Sequence, residues 1–153
     1  MKPHPVFDGT RLKATVFRPR RKKLFVSFRQ RVGDPGSFDT PRPVMGFVTR
    51  SFAHVHIQSR DNDWFINDET EALEAALARF VGRYDEVVAM GFSMGGYGAL
   101  RFARTLKVDR LLAISPQVSI DPDVVPFDRR YRAEAEGWNG ALGNLEGRTT
   151  EVR

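Results

Sequence analysis

Five consecutive residues, Gly91-Phe92-Ser93-Met94-Gly95, set one hydroxyl between glycines two positions away on either side. A serine hydroxyl is a latent nucleophile toward acyl groups, weak at neutral pH unless a base takes its proton. The glycines have a geometric use. A chain that turns sharply from strand to helix at Ser93 strains the serine backbone and lifts the hydroxyl clear of the turn. Bulky side chains two before and two after would collide there, so glycine is needed at both. The helix that follows offers unpaired N–H groups and the positive end of its dipole to a developing oxyanion. The backbone N–H of Met94 is the first of these donors.

The surrounding elements fit that turn. The apolar run Val87-Val88-Ala89-Met90 reads as a short strand leading into it. A helix over 96–106 follows, with Ala99, Leu100, Phe102, Ala103 and Leu106 available for burial. Gly96 and Gly98 permit close helix–sheet approach. A phosphate-binding Walker loop needs a lysine before its Ser or Thr, and none is present. A dinucleotide loop needs other glycine spacing. Further upstream, 12–17, 23–28 and 53–58 read as strands. Ala72, Leu73, Ala76, Leu77, Phe80, Val81 and Tyr84 mark one face of a helix. Asp68 and Glu71 have capping-box spacing at its start, and Gly82 lies near its end. Leu111-Leu112-Ala113-Ile114 is another strand. Residues 1–10, with Pro3, Pro5 and Gly9, read as an irregular lead-in.

Strands alternating with helices predict an α/β fold, a mostly parallel sheet of about five strands with helices on both faces. The core is expected over 1–120. Residues 121–153 read as an irregular or short-helical tail of the same domain, loosely structured beyond Trp138.

With these residues in place, the chain resembles the α/β-hydrolase family across roughly 22–120, in an incomplete form. The resemblance implies a serine hydrolase of esterase type, with Gly91–Gly95 as its nucleophile elbow. Ser93 would attack a small-molecule acyl ester, thioester or amide. The second oxyanion donor would come from the loop after 23–28, which begins Arg29-Gln30-Arg31. That loop lacks the His-Gly-Gly-Gly signature of many lipases, so Arg29 and Gln30 are the candidates. Asp121, with Asp123 beside it, is the candidate acid. Ser115-Pro116-Gln117 would end at the same sheet edge as Ser93. No cofactor and no metal are implied.

The family orders its triad as serine, acid, histidine. Here His4, His54 and His56 all precede Ser93, and no histidine follows it. His54 and His56 share one face of a strand that the family's strand order separates from the serine strand. They read as hydrogen-bonded core histidines. A metal site would need a further ligand. Asp61 and Asp63 read as turn-forming residues instead. The missing base and the short chain lead to two expectations. One is an N-terminal portion of a larger hydrolase. The other is a non-catalytic module that pairs with itself or a partner, for instance as a homo-oligomer through an exposed sheet edge.

Composition narrows the remaining classes. Hydrophobic residues at 41% can build a core, and the absence of cysteine excludes disulfides and a thiol nucleophile. No apolar run approaches membrane-spanning length, and Met1–Pro5 has no signal-peptide character, so a cytoplasmic location is expected. Residues 1–60 carry 13 Lys and Arg against 3 Asp and Glu, a basic half that attracts anions. Its densest run, Arg18 to Lys23, sits between two strands and reads as a solvated turn. Nucleic acid is not expected, because no aromatic platform is interleaved with these charges.

Overall fold

The computed structural model describes residues 1–148. Six strands form one sheet: β1 (Pro3–Asp8), β2 (Leu12–Phe17), β3 (Lys23–Phe28), β4 (Phe52–Ser59), β5 (Glu86–Phe92) and β6 (Arg110–Ile114). Their order is β1-β2-β4-β3-β5-β6. β3 pairs in parallel with β4 and β5, and β5 with β6. β2 runs antiparallel to β1 and β4. The sheet is therefore mixed, with its parallel half around β3 and β5. Five helices accompany it among the described residues: α1 (Met45–Val48), α2 (Thr70–Val81), α3 (Met94–Phe102), α4 (Arg132–Ala135) and α5 (Gly140–Gly143). None is long and apolar enough to cross a membrane.

Alternation along β3 divides the core. Leu24, Val26 and Phe28 face α2 and α3, in one buried cluster with Leu73, Leu77 and Phe102. Phe28 packs against Phe65 and Phe102 with ring centroids 5.7 and 6.0 Å apart. Phe25 faces the other way and stacks on Phe47 of α1. That second face has little cover over β5 and β6, where Phe92 is 45% and Leu112 54% exposed.

The strand count is six rather than five. Pro3 and Pro5 were expected to break the chain, yet they lie in β1, opposite Phe17 and Thr15. β1 is an edge strand, so a missing N–H can face outward without costing a ladder bond. The predicted capping box at Asp68 and Glu71 does not form. The side chain of Asn67 takes the Glu69 N–H (2.9 Å) instead, and the Thr70 hydroxyl donates to Phe65 O (2.6 Å). The tail is also more ordered than its composition implies. Tyr97 of α3 donates its hydroxyl to Gly143 O (2.6 Å), and Arg148 pairs with Glu74 of α2 (2.6 Å). Residues 149–153 of that predicted tail lie outside the described residues.

Candidate functional site

Ser93 stands alone between β5 and α3, with φ 51° and ψ −125°. A residue with a Cβ held there stores about 1–3 kcal/mol of strain, so the surroundings must fix it. Two backbone bonds do so. The Ser93 N–H donates to Ile114 O (2.9 Å), which extends the β5–β6 pairing by one residue. Ser93 O accepts the Tyr97 N–H (3.1 Å) and opens α3. The glycines permit the turn, because a Cβ on Gly91 would collide with the Gly95 carbonyl. One on Gly95 would lie 2.7 Å from Phe28 O. Close passage of strand end and helix start thus demands glycine at both positions.

The Ser93 hydroxyl is half-buried and donates to Gln117 Oε1 (3.0 Å). Gln117 Nε2 in turn donates to Ser115 O (2.9 Å), which aims the amide oxygen at the serine. Ser115 is itself left-handed, with φ 48°. An amide oxygen can orient this hydroxyl but is far too weak a base to remove its proton. The contact with Gln117 escaped the sequence reading. The topology that puts residues 115–117 beside Ser93 was the available signal.

Donors surround the hydroxyl's position. The first N–H groups of α3, on Met94, Gly95 and Gly96, have no acceptor within the helix, and the Ser93 side chain does not cap them. The loop after β3 passes directly beside them, since Phe28 O and Arg29 O bound the space at Gly95. Arg29 is committed to building that loop. Its N–H donates to Ile57 O (2.9 Å). Its buried guanidinium holds Ser37 O (2.7 Å), Ser59 O (3.0 Å) and the Asp39 carboxylate (2.9 Å). Gln30, the next residue, is exposed and donates its N–H to no backbone carbonyl among the described residues.

The remaining candidates lie apart from Ser93. Asp121 closes its own turn, with Oδ1 accepting the Asp123 N–H (2.9 Å) and its N–H donating to Ser119 Oγ (3.0 Å). No hydrogen bond joins it to Ser93 or to a histidine. His54 and His56 sit on β4, separated from β5 by β3. Both bond Ser27, His54 through Nε2 (2.7 Å) and His56 through Nδ1 (2.8 Å). His54 Nδ1 accepts the Val44 N–H (3.1 Å), so its proton is on Nε2 and points at Ser27. The Ser27 hydroxyl is then free to donate to His56. Burial, with His56 beside it, lowers the His54 pKa to about 3. Burial also lowers His56 to about 4, with Arg29 adding to the fall and Asp39 opposing it. Asp63 serves a turn, taking bonds from Ser59 Oγ (2.5 Å) and the Phe65 N–H (3.0 Å).

The same sheet edge carries a cavity of about 510 Å³, walled by Arg11, Arg31, Asp61, Asn62, Glu134 and Trp138 among others. Arg31 pairs there with Glu134 (2.6 Å).

No protein-family model matches the chain, and no curated protein matches its sequence. Solved structures do share its fold. The capsule O-acetyltransferase of Neisseria meningitidis serogroup A superposes with a TM-score of 0.59 at 13% identity, over 93% of this chain and 65% of that one. A histidine-to-alanine variant of that enzyme, in complex with CoA, gives 0.58 at 13% identity, over 90% and 60%. A fluorophosphonate-binding serine hydrolase of Staphylococcus aureus, with substrate bound, gives 0.53 at 12% identity, over 96% and 71%. The chain thus spans 60–65% of the length of the O-acetyltransferase chains it matches. At such identities the likeness concerns architecture. The chain has an α/β-hydrolase-like fold, a scaffold that acyl-transferring and hydrolytic proteins share.

Proposed function

We propose that this chain carries the nucleophile of an acyl-transfer reaction, most simply the hydrolysis of a small-molecule acyl ester. The observation that carries this is Ser93 itself, held at φ 51° in a glycine-flanked strand-to-helix turn, with its hydroxyl at the carboxyl edge of the sheet. In this reading the turn is a nucleophile elbow. Ser93 Oγ attacks the carbonyl carbon and gives up its proton to a base. The Met94 and Gln30 N–H groups hold the oxyanion. The alcohol then leaves with a proton, and water releases the acyl group from the serine. The polar cavity at the same edge receives the non-acyl part of the substrate. An O-acetyltransferase and a serine hydrolase stand among the fold neighbours, so this scaffold is one on which acyl chemistry is carried. The base is the missing part. Among the described residues the Ser93 hydroxyl meets only the Gln117 amide, so this reading requires a histidine base that these contacts do not supply. Asp121 keeps the role of acid only if such a histidine reaches it.

A fluorophosphonate probe tests this directly. Labelling that maps to Ser93, disappears in Ser93→Ala and is enhanced by free imidazole supports the reading. Folded protein that resists labelling even with imidazole overturns it.

One observation favours a second reading, a non-catalytic module of the same fold. Among the described residues β6 has an unpaired edge, and the apolar face around Phe92 and Leu112 is open beside it. A second copy or a partner would cover both. Sedimentation distinguishes the readings, because a chain that stays monomeric at high concentration and labels at Ser93 excludes self-pairing as its function.

A further inference from the structure

The link between β2 and β3 carries Arg18-Pro19-Arg20-Arg21, at the sheet edge opposite Ser93. The Arg21 N–H donates to Arg18 O (3.2 Å), which closes a β-turn with proline at its second position. Arg18 is held at φ 53°, and its guanidinium donates to Val48 O (2.8 Å). The turn is solvated as the sequence implies, with Arg20 to Lys23 exposed, and these bonds close it. A cavity of about 500 Å³ adjoins it, with Lys2, His4, Arg18, Arg20 and Arg21 in its walls. A second cavity of about 380 Å³ shares His4 and Pro19 with the first. It adds Arg79 and Arg83 around the apolar surfaces of Val6, Val16 and Phe80.

Neither cavity has an Asp or Glu in its walls. Some arginines elsewhere pair with carboxylates, Arg29 with Asp39, Arg31 with Glu134 and Arg110 with Glu86, while others such as Arg42 and Arg50 stand unpaired among the described residues but not clustered around a hollow. Lys23, one strand start away, takes Glu86 as well (2.9 Å). Lys2, Arg18, Arg20 and Arg21 form no ion pair among the described residues. Asp85 lies nearby, with its N–H donating to Lys22 O (2.8 Å), and it pairs with none of them. Like charges on an ordinary solvated turn spread into water. Here they line one hollow without a counter-charge, the arrangement that suits an anion. Arginine forks match phosphate oxygens, and a hollow of this size suits a small ligand rather than a flat surface.

We infer that these joined cavities bind a small ligand bearing two or more phosphate groups. The phosphates meet Lys2, Arg18, Arg20 and Arg21, and its apolar body lies against Val6, Pro19 and Phe80. The site lies at the sheet edge opposite Ser93, about 20 Å away along the strands, so the ligand stabilises the fold or positions the protein and takes no part in acyl chemistry.

Calorimetric titration of the full chain with inorganic tripolyphosphate at physiological salt tests the assignment. The expected result is saturable one-to-one binding. It weakens about tenfold or more in Arg20→Ala/Arg21→Ala and holds steady in Arg104→Ala/Arg129→Ala, which removes equal charge elsewhere. Lys2→Ala, on the exposed start of the chain, gives a second reading in the same direction if the double variant fails to fold. Absence of saturation overturns the proposal, as does equal weakening in both double variants. Capture by phosphatidylserine vesicles or duplex DNA that tripolyphosphate cannot displace also overturns it, in favour of a membrane or nucleic acid.

Discussion

Acidification from pH 7 to pH 5 should destabilise this protein through two histidines far from its serine. His54 is fully buried and His56 partly buried, and in the folded chain they stay neutral down to about 3 and about 4. Unfolded, each titrates near 6.5. A base whose folded pKa is depressed binds protons first in the unfolded state, so stability falls as pH drops below the unfolded value. Over these two pH units each histidine costs about 1.9 kcal/mol, and the pair about 4 kcal/mol. That is a large part of the roughly 5–15 kcal/mol that holds a typical domain folded. Most carboxylates titrate lower and do not blur the window. Burial holds the Asp63 carboxyl above the usual carboxylate range, a shift whose sign opposes this loss. Urea unfolding at the two pH values measures the difference, with His54→Asn/His56→Asn as the comparison. The variant starts less stable but should lose little more on acidification. A wild-type loss under about 1 kcal/mol, or an equal slope in the variant, would refute the assignment of both histidines as neutral core groups.

Other consequences are local. Gly91→Ala places a methyl group against the Gly95 carbonyl and should lower stability by about 3 kcal/mol or more, read as a fall in thermal midpoint. Ser93→Gly relieves the left-handed strain and should raise stability by about 1 kcal/mol while abolishing fluorophosphonate labelling. The Glu69 carboxylate accepts the N–H groups of Thr10, Arg11 and Leu12, and Glu69→Gln should cost about 1–2 kcal/mol in a urea titration. Burial alone would raise the Glu69 pKa, but these bonds outweigh it and hold it at about 2, so its contribution is present above 4.5 and fades as pH falls toward 2.

Much of this architecture follows from periodicity. The 3.6-residue repeat in α2 buries Leu73, Ala76, Leu77, Phe80 and Val81 and leaves Ala72 exposed, and the run of β3 buries Leu24, Phe25, Val26 and Phe28; β5 buries only Val87 and Ala89 of its run, and β6, at the sheet edge, buries none of Leu111 to Ile114. The glycines of 91–95 are explained by backbone contacts that the spacing alone predicted. What was hidden depends on position in the sheet or on distant partners. Pro3 and Pro5 break a central strand but not an edge one, and only the topology says which strand is at the edge. Trp64 and Phe65 are both left-handed and fully buried, with no glycine to announce the turn; Asp63, bonded to the Phe65 N–H, shapes it. The tail's docking rests on Tyr97 and on Arg101, a fully buried arginine that a helical pattern assigns to solvent.

The serine and the histidines bear on function in opposite ways. A depressed imidazole would be a feeble base even within reach, and β3 stands between β4 and β5. The strain at Ser93 points the other way. Folding loses energy by holding φ 51° at a residue with a side chain, when glycine would fit the same turn at no such cost. Gly91 and Gly95 are fixed by packing, because any Cβ there collides with backbone. Ser93 is under no such demand, since it lies half-exposed and meets only Gln117. Packing therefore accounts for both glycines and leaves the serine unexplained. A hydroxyl kept at the strained, accessible position of this turn is what the proposed acyl transfer requires, although positive φ at Trp64 and Phe65 serves packing alone.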